Sequence, residues 1–337
     1  MKTLLIRAED KNRWESRVPL MPDDLAAIIK ETGAQAFVEK SAKRFVDEAR
    51  YSQAGALICD DMSQGDVILG IKEIPVNKIL ANKTYAFFSH TIKGQKDNMG
   101  LLQKIIDSGS TLIDYEKITD SDNRRLIYFG PYAGGAGAID ILSLLAKHWA
   151  DKKIRTPLSG IKMAHEYASL TEAMDHMAAI GRKIRDQGFP AELTPFTVGI
   201  LGYGNVSQGA QQIFDCLPIQ RIDADAINDV AAKRKGDPHT MYLTVFQEKD
   251  LVRPQDPGAS FDLREYYNHP ERYESSFEQY LGSFTLLVNA IYWNERYPKF
   301  ITWQGLKKTA EEGAASKLTA IADITCDIGG AVECTVK

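Results

Sequence analysis

Cysteine is scarce in this 337-residue chain: four residues, Cys59, Cys216, Cys326 and Cys334, with no CxxC spacing and no histidine close to any of them. That excludes a disulfide scaffold and argues against a zinc centre. Buried thiols in a reducing compartment are the expectation. An excess of one charge is also missing, since 41 Lys and Arg face 45 Asp and Glu for a net charge of −4, with no basic arm. No nucleic-acid footprint is present. Nowhere do about 18 apolar residues follow one another, and Met1–Arg7 reads as a first strand rather than a signal peptide. A cytoplasmic protein with no membrane partner is therefore expected. His148, His165, His176, His239 and His269 lack metal-ligand spacing, no nucleophile elbow occurs, and no metal is expected.

What is there is ordinary globular composition, 44% hydrophobic and 26% charged, at a length that suggests two domains. Short apolar segments at Thr3–Arg7, Ala36–Val38, Val67–Ile71, Thr84–Phe88 and Thr111–Asp114 read as strands, with helices at Pro22–Glu31 and Asn98–Ser108 between them. Longer amphipathic helices follow at Ile139–Ala150 and Leu170–Asp186. Later strands are expected at 196–201, Ile219–Ile222, Tyr242–Val245, Thr285–Asn289 and Leu318–Asp323. A polar stretch from Gln247 to Tyr280 reads as an excursion with a short helix at Pro270–Gln279. Alternating strands and helices mean parallel sheets with covered faces. The expected fold is thus α/β, with two Rossmann-like domains and an interdomain cleft: residues 1–150 substrate-binding and catalytic, 151–194 bridging helices, 195–337 dinucleotide-binding.

After Pro195 an apolar strand runs into Gly202-Tyr-Gly204-Asn205-Val206-Ser-Gln-Gly209, which opens an amphipathic helix. Glycines permit the tight turn and the close approach of a pyrophosphate, and the helix N-terminus supplies N–H donors. The last glycine comes five residues after Gly204 rather than three. Asp223, 19 positions after Gly204, stands near the ~20 expected of the acid that binds the adenosine ribose. Arg221 and Arg234 are candidate partners for a 2′-phosphate, so NAD and NADP both stay open. In the first block, three consecutive strands deliver ionisable residues to one edge: Lys72-Glu73, then Ser89-His90 with Lys93, then Asp114-Tyr115-Glu116. Residues beyond the carboxyl ends of parallel strands line the ligand crevice. A lysine, a histidine and carboxylates together suit proton transfer beside a hydride step. Arg17, Arg124 and Arg125 are candidate carboxylate clamps.

The segments Glu15-Ser-Arg17-Val-Pro-Leu, Ile68-Leu-Gly-Ile-Lys72-Glu73-Ile-Pro, Ser89-His90-Thr-Ile-Lys93-Gly-Gln95, Phe129-Gly-Pro-Tyr-Ala-Gly-Gly-Ala-Gly137, His269-Pro-Glu-Arg-Tyr, Asn289-Ala-Ile291-Tyr-Trp293 and Ala322-Asp323-Ile-Thr-Cys-Asp327 closely resemble the lysine-forming saccharopine dehydrogenases. The nearest likeness is to the lysine-ketoglutarate reductase domain of the bifunctional aminoadipic semialdehyde synthases, and it runs over essentially the whole chain. Alanine dehydrogenase and the transhydrogenase NAD-binding domain share the two-domain plan but lack the Ser-His-Thr-Ile-Lys-Gly-Gln segment. The resemblance implies an NAD(P)-linked oxidoreductase of lysine metabolism that reversibly joins L-lysine and 2-oxoglutarate into saccharopine by reducing an imine. It assigns acid–base roles to Lys72 and His90, and charge tuning to Glu73 and Glu116. Substrate carboxylates would fall to Arg17, Lys93, Arg124 and Arg125, with Asp323 between cofactor and substrate. The cofactor would meet Gly202, Gly204, Asn205, Val206, Gly209, Asp223, Asn289 and Ile291.

The resemblance further implies that the chain continues past the Asp-Ile-x-x-Asp segment and returns to complete the first domain, whereas the sequence stops at Lys337. A short variant, a fragment or a degenerate copy is expected, with part of the first core exposed. Two alternatives follow: an alanine-dehydrogenase-like enzyme of smaller amino acids, or a truncated, non-catalytic binder of NAD(P) or an amino acid. The sequence carries no signal for an oligomeric state.

Overall fold

The computed structural model describes residues 2–94, 96–233, 236–311, 313 and 316–336. Packing divides the chain into two units, Met1–Tyr128 and Phe129–Lys337. The division falls at 128 rather than at 150, because the long helix that follows packs within the second unit.

Unit 1 runs β1 (Leu4–Ile6), α1 (Pro22–Thr32), β2 (Ala36–Glu39), α2 (Glu48–Gln53), β3 (Leu57–Cys59), β4 (Val67–Leu69), β5 (Thr84–Phe87), α3 (Lys96–Asp107) and β6 (Thr111–Asp114). Its six strands form one sheet in the order β3-β2-β1-β4-β5-β6, parallel throughout. The expected strands and helices of this block are present within a residue or two. β3 is an addition, a three-residue edge strand with Leu57 exposed and too short to carry an alternation signal. Helix α1 starts with Pro22 at its first turn beside Asp23 and Asp24, and stops at Gly33, whose φ is 66°. These are the signals that made it legible. The chain leaves β1 to one side for β2 and β3 and returns to the other side for β4, so the order reverses between β1 and β4. A ligand crevice opens at such a point.

Unit 2 runs α4 (Gly130–Asp151), α5 (Leu170–Gln187), β7 (Phe196–Leu201), α6 (Asn205–Phe214), β8 (Ile219–Arg221), α7 (Ile227–Lys233), β9 (Met241–Phe246), α8 (Glu248–Leu251), β10 (Val252–Pro254), α9 (Leu263–Asn268), β11 (Tyr273–Ser275), β12 (Leu286–Asn289), α10 (Trp303–Glu311) and β13 (Ala320–Asp323). Five strands make a parallel sheet in the order β13-β12-β7-β9-β8. One core joins α4, α5 and α6 to Phe196, Val198, Leu243 and Val288, and a second gathers Phe246, Phe277, Phe284 and Phe300.

Helix α4 starts at Gly130, nine residues before the expected Ile139. Four glycines make that run a poor helix former at about 1 kcal/mol each, but they let α6 approach at backbone distance. A Cβ on Gly134 would stand 1.8 Å from the Val206 carbonyl oxygen, and one on Gly209 1.8 Å from that of Pro131.

The excursion also differs from expectation. Pro270–Arg272 is one 3-10 turn, followed by β11, which pairs antiparallel with β10. The ring of Tyr273 packs against Tyr266 at 5.3 Å and Phe261 at 5.8 Å, and burying it in that aromatic cluster outweighs the local helical pattern. The α-helices of the excursion are α8, at its start, and α9, which begins seven residues before Pro270. Among the described residues no helix is long and apolar enough to cross a membrane.

Candidate functional site

In unit 1 the reversal of strand order brings together the residues that follow β1 and β4. Arg7 and Glu9 are buried there, with Arg7 Nη1 3.3 Å from Glu9 Oε2. Glu9 accepts the backbone N–H of Ile71 at 2.7 Å and of Lys72 at 3.1 Å, so the end of β1 holds the loop that carries Lys72. Burial pushes the Glu9 carboxyl above its ordinary value, against the pull of Arg7 and of the two N–H donors. Glu15 grips Arg17 through Nε at 2.8 Å and Nη2 at 2.6 Å. Burial raises the Glu15 carboxyl, but the Arg17 hydrogen bonds and the charges of Arg17 and Lys72 outweigh it and hold it below its usual range.

The next loop carries His90 in the left-handed region at φ 52°. This turns its Nδ1 onto Glu73 Oε1 at 2.7 Å, while the ring stacks on Phe88. Burial pushes the Glu73 carboxyl up, and the His90 hydrogen bond together with the charges of His90 and Lys11 draws it below its ordinary value. Its second oxygen is buried, with Lys11 Nζ at 3.8 Å and no hydrogen-bond donor among the described residues. Ser89 donates to Asp114, which accepts the Glu116 N–H at 2.9 Å and so joins the β5 and β6 loops. Tyr115 packs edge-on against Phe88 at 5.2 Å.

The structure thus brings Lys72, Glu73 and His90 to one edge, joined by Glu9 and Glu15. Glu116 pairs with Arg125 at 3.0 Å. Arg124 lies apart from this cluster: its side chain is 73% exposed and bound to Asp120 and Asp122 in a turn. Lys93 falls in a 3-10 turn, Thr91–Lys93, and its side chain lies outside the described set. Glu9 and Glu15 were missed in the sequence as site residues. The rule that singled out Lys72, the residue just past a strand, applied equally to Glu9.

In unit 2 the order reverses between β7 and β12, and a cavity of about 320 Å³ lies over that point. Gly202, Tyr203 and Gly204 line it, with Glu248 after β9 and Ile291 after β12. Gly202 takes φ 90°, which L side chains rarely adopt. A Cβ on Gly204 would meet no protein atom within 4 Å, so space remains where a pyrophosphate would lie on the N-terminus of α6. These features fit a dinucleotide. Asn205 and Val206 form the first turn of α6, and Gly209 serves the contact with α4 rather than the cavity.

Asn289 Nδ2 donates to Asp323 at 2.8 Å and to Thr325 at 3.1 Å, leaving its buried Oδ1 without a partner among the described residues. Asp323 also accepts from Thr325 at 2.7 Å and from Thr335. Both of its oxygens are therefore engaged in tying the last described segment to β12. Asp223 lies past the edge strand β8 and does not line the cavity; Arg221 there pairs with Asp215 at 2.7 Å, and Arg234 falls outside the described residues. Among the described residues no cluster suited to a metal occurs.

Comparison with known proteins places these features among relatives. Residues 5–136 match the model of the alanine dehydrogenase/PNT N-terminal domain. The chain is 38% identical over 343 residues to an alpha-aminoadipic semialdehyde synthase of Arabidopsis thaliana, covering 97% of this chain and 32% of that protein. It is 36% identical to the mitochondrial alpha-aminoadipic semialdehyde synthase of Bos taurus, with 98% and 37% covered. A saccharopine dehydrogenase [NAD(+), L-lysine-forming] of Emericella nidulans is 25% identical, with 96% and 73% covered. The chain spans about a third of the length of the two synthases. Among solved structures an L-alanine dehydrogenase superposes with a TM-score of 0.58 at 16% identity, covering 98% of this chain and 76% of that one, a likeness of fold.

Proposed function

We propose that this chain, similar over nearly its whole length to alpha-aminoadipic semialdehyde synthases and to a lysine-forming saccharopine dehydrogenase and matching the alanine dehydrogenase/PNT N-terminal domain over residues 5–136, is an NAD(P)-linked oxidoreductase joining L-lysine and 2-oxoglutarate into saccharopine. Unit 1 takes the substrates and unit 2 the dinucleotide. The observation that carries this reading is the edge of unit 1 where Glu9 holds the backbone of Lys72 and Glu73 holds His90. The substrates bring three carboxylates, and a lysine amine must lose a proton before it attacks a carbonyl carbon. Lys72 and His90 are the proton carriers at that edge. Glu73 fixes the His90 ring through Nδ1, leaving Nε2 for the exchange, and its open oxygen accepts an N–H of the incoming amine. Arg17 and Arg125, shared with Glu15 and Glu116, answer the carboxylates. When bound, the dinucleotide supplies or receives the hydride.

The test is loss of NADH or NADPH absorbance when the purified chain receives L-lysine and 2-oxoglutarate together and then each alone. Oxidation that requires both is expected. Oxidation with pyruvate and ammonium instead would assign the smaller-substrate activity, and binding of dinucleotide without turnover would leave a binder.

A further inference from the structure

In a dinucleotide-binding sheet of the usual order, the acid that meets the adenosine ribose follows the strand next to the glycine-turn strand, and a count of about 20 residues finds it. Here the second and third strands of the sheet have exchanged places. β7 pairs with β9, Leu201 opposite Phe246, and β8 is the outer edge, paired with β9 alone. Asp223 is thereby two strand spacings from β7, about 10 Å, and faces a separate depression with Asp225 and Asp250. The acid just past β9, the strand that takes the place beside β7, is Glu248, and it lines the cavity with Gly202 and Gly204.

We propose that Glu248 binds the adenosine ribose and makes this protein selective for the dinucleotide without a 2′-phosphate, NAD(H). The hydroxyls of Tyr203 and Tyr267 both donate to its Oε1, at 3.3 and 2.5 Å. Its Oε2 accepts from none of the described residues and is left for the ribose hydroxyls. Burial, followed by contact with Glu248, pushes the Tyr267 hydroxyl well above its ordinary value, so it remains a donor. The described residues lining the cavity include no Lys, Arg or His, and Glu248 is the one charged group among them. A 2′-phosphate, carrying nearly two negative charges at neutral pH, would meet this carboxylate with no cation among the described residues lining the cavity to offset it.

The inference rests on the reading that unit 2 seats a dinucleotide at the glycine turn, and titration separates the two. The full chain is titrated with NADH and with NADPH by calorimetry, beside Glu248→Gln, Glu248→Ser and Asp223→Asn. NADH should bind the unaltered chain about tenfold or more tighter than NADPH. Both Glu248 variants should narrow that ratio through a gain for NADPH, and Asp223→Asn should leave it unchanged. Equal binding of the two dinucleotides by the unaltered chain overturns the role of Glu248, as does a ratio that moves in Asp223→Asn alone. Binding of neither dinucleotide overturns the glycine-turn reading and this inference with it.

Discussion

Lys72 and His90 differ in how they are held, and their substitution tests different parts of the same edge. Lys72 is placed by its backbone N–H on Glu9, so Lys72→Met removes the amine without disturbing the loop. His90 is placed by its side chain on Glu73, so His90→Gln also releases that carboxylate. Each should lower turnover by about 10²–10⁴, the range for a positioned proton-transfer group, with dinucleotide affinity unchanged; steady-state rates and titrations check both. Glu15 offers a stability test. Its carboxyl is held below the ordinary 4.5 chiefly by Arg17, with Lys72 adding to it, against burial. A depressed carboxyl stabilises the fold above its unfolded value, and the contribution disappears as pH falls through the folded one. Glu15→Gln should cost about 1 kcal/mol at neutral pH, discounted because Arg17 is 43% exposed on its side chain. The deficit should shrink as pH falls through the folded value in denaturant titrations, and an equal deficit at neutral and acid pH would refute it.

At the scale of elements, the two glycines of the turn and helix have separate duties. Gly209 touches Pro131 of α4 at backbone distance, so Gly209→Ala should destabilise by about 1–3 kcal/mol or more through overpacking, read as a lowered melting temperature. Gly204 faces open space, so Gly204→Val should melt like the parent and yet lose dinucleotide binding. A melting loss for Gly204→Val comparable to that of Gly209→Ala would refute the distinction. The same contrast shows what could be read from sequence. Strands running into charged residues and capped helices such as α1 announce themselves locally, and so did Gly202-x-Gly204. The helical state of Gly130–Gly137 depends on α6, 75 residues away, and no local propensity reports it. The polar excursion was legible as an excursion, but its pairing of β10 with β11 depends on burial of Tyr273.

For the whole molecule, the sequence order of strand and helix conveyed two parallel sheets, and the edge carrying Lys72 and His90 followed from that alone. The rank of strands within the second sheet was not read from sequence, because Ile219–Arg221 and Met241–Phe246 both read as short strands in chain order; that the polar Gln220 and Arg221 suit an exposed edge while Met241–Phe246 suits a buried place beside β7 is clear only with the sheet in hand. Asp223 was singled out for that reason and Glu248 was not. If unit 2 seats a dinucleotide, NADH at about a hundredfold excess over its Kd should add ~2.7 kcal/mol to the unfolding of that unit. Calorimetric scans with and without NADH check this, and an unmoved transition would count against the site. The exchanged strands also bear on how the chain reaches this state. β8 is made before β9, yet its one place in the sheet is along the outer edge of β9. During synthesis β8 therefore waits unpaired while 19 further residues are added. Its amides should gain exchange protection only after those of β9, a later step of folding than its position in the chain would suggest.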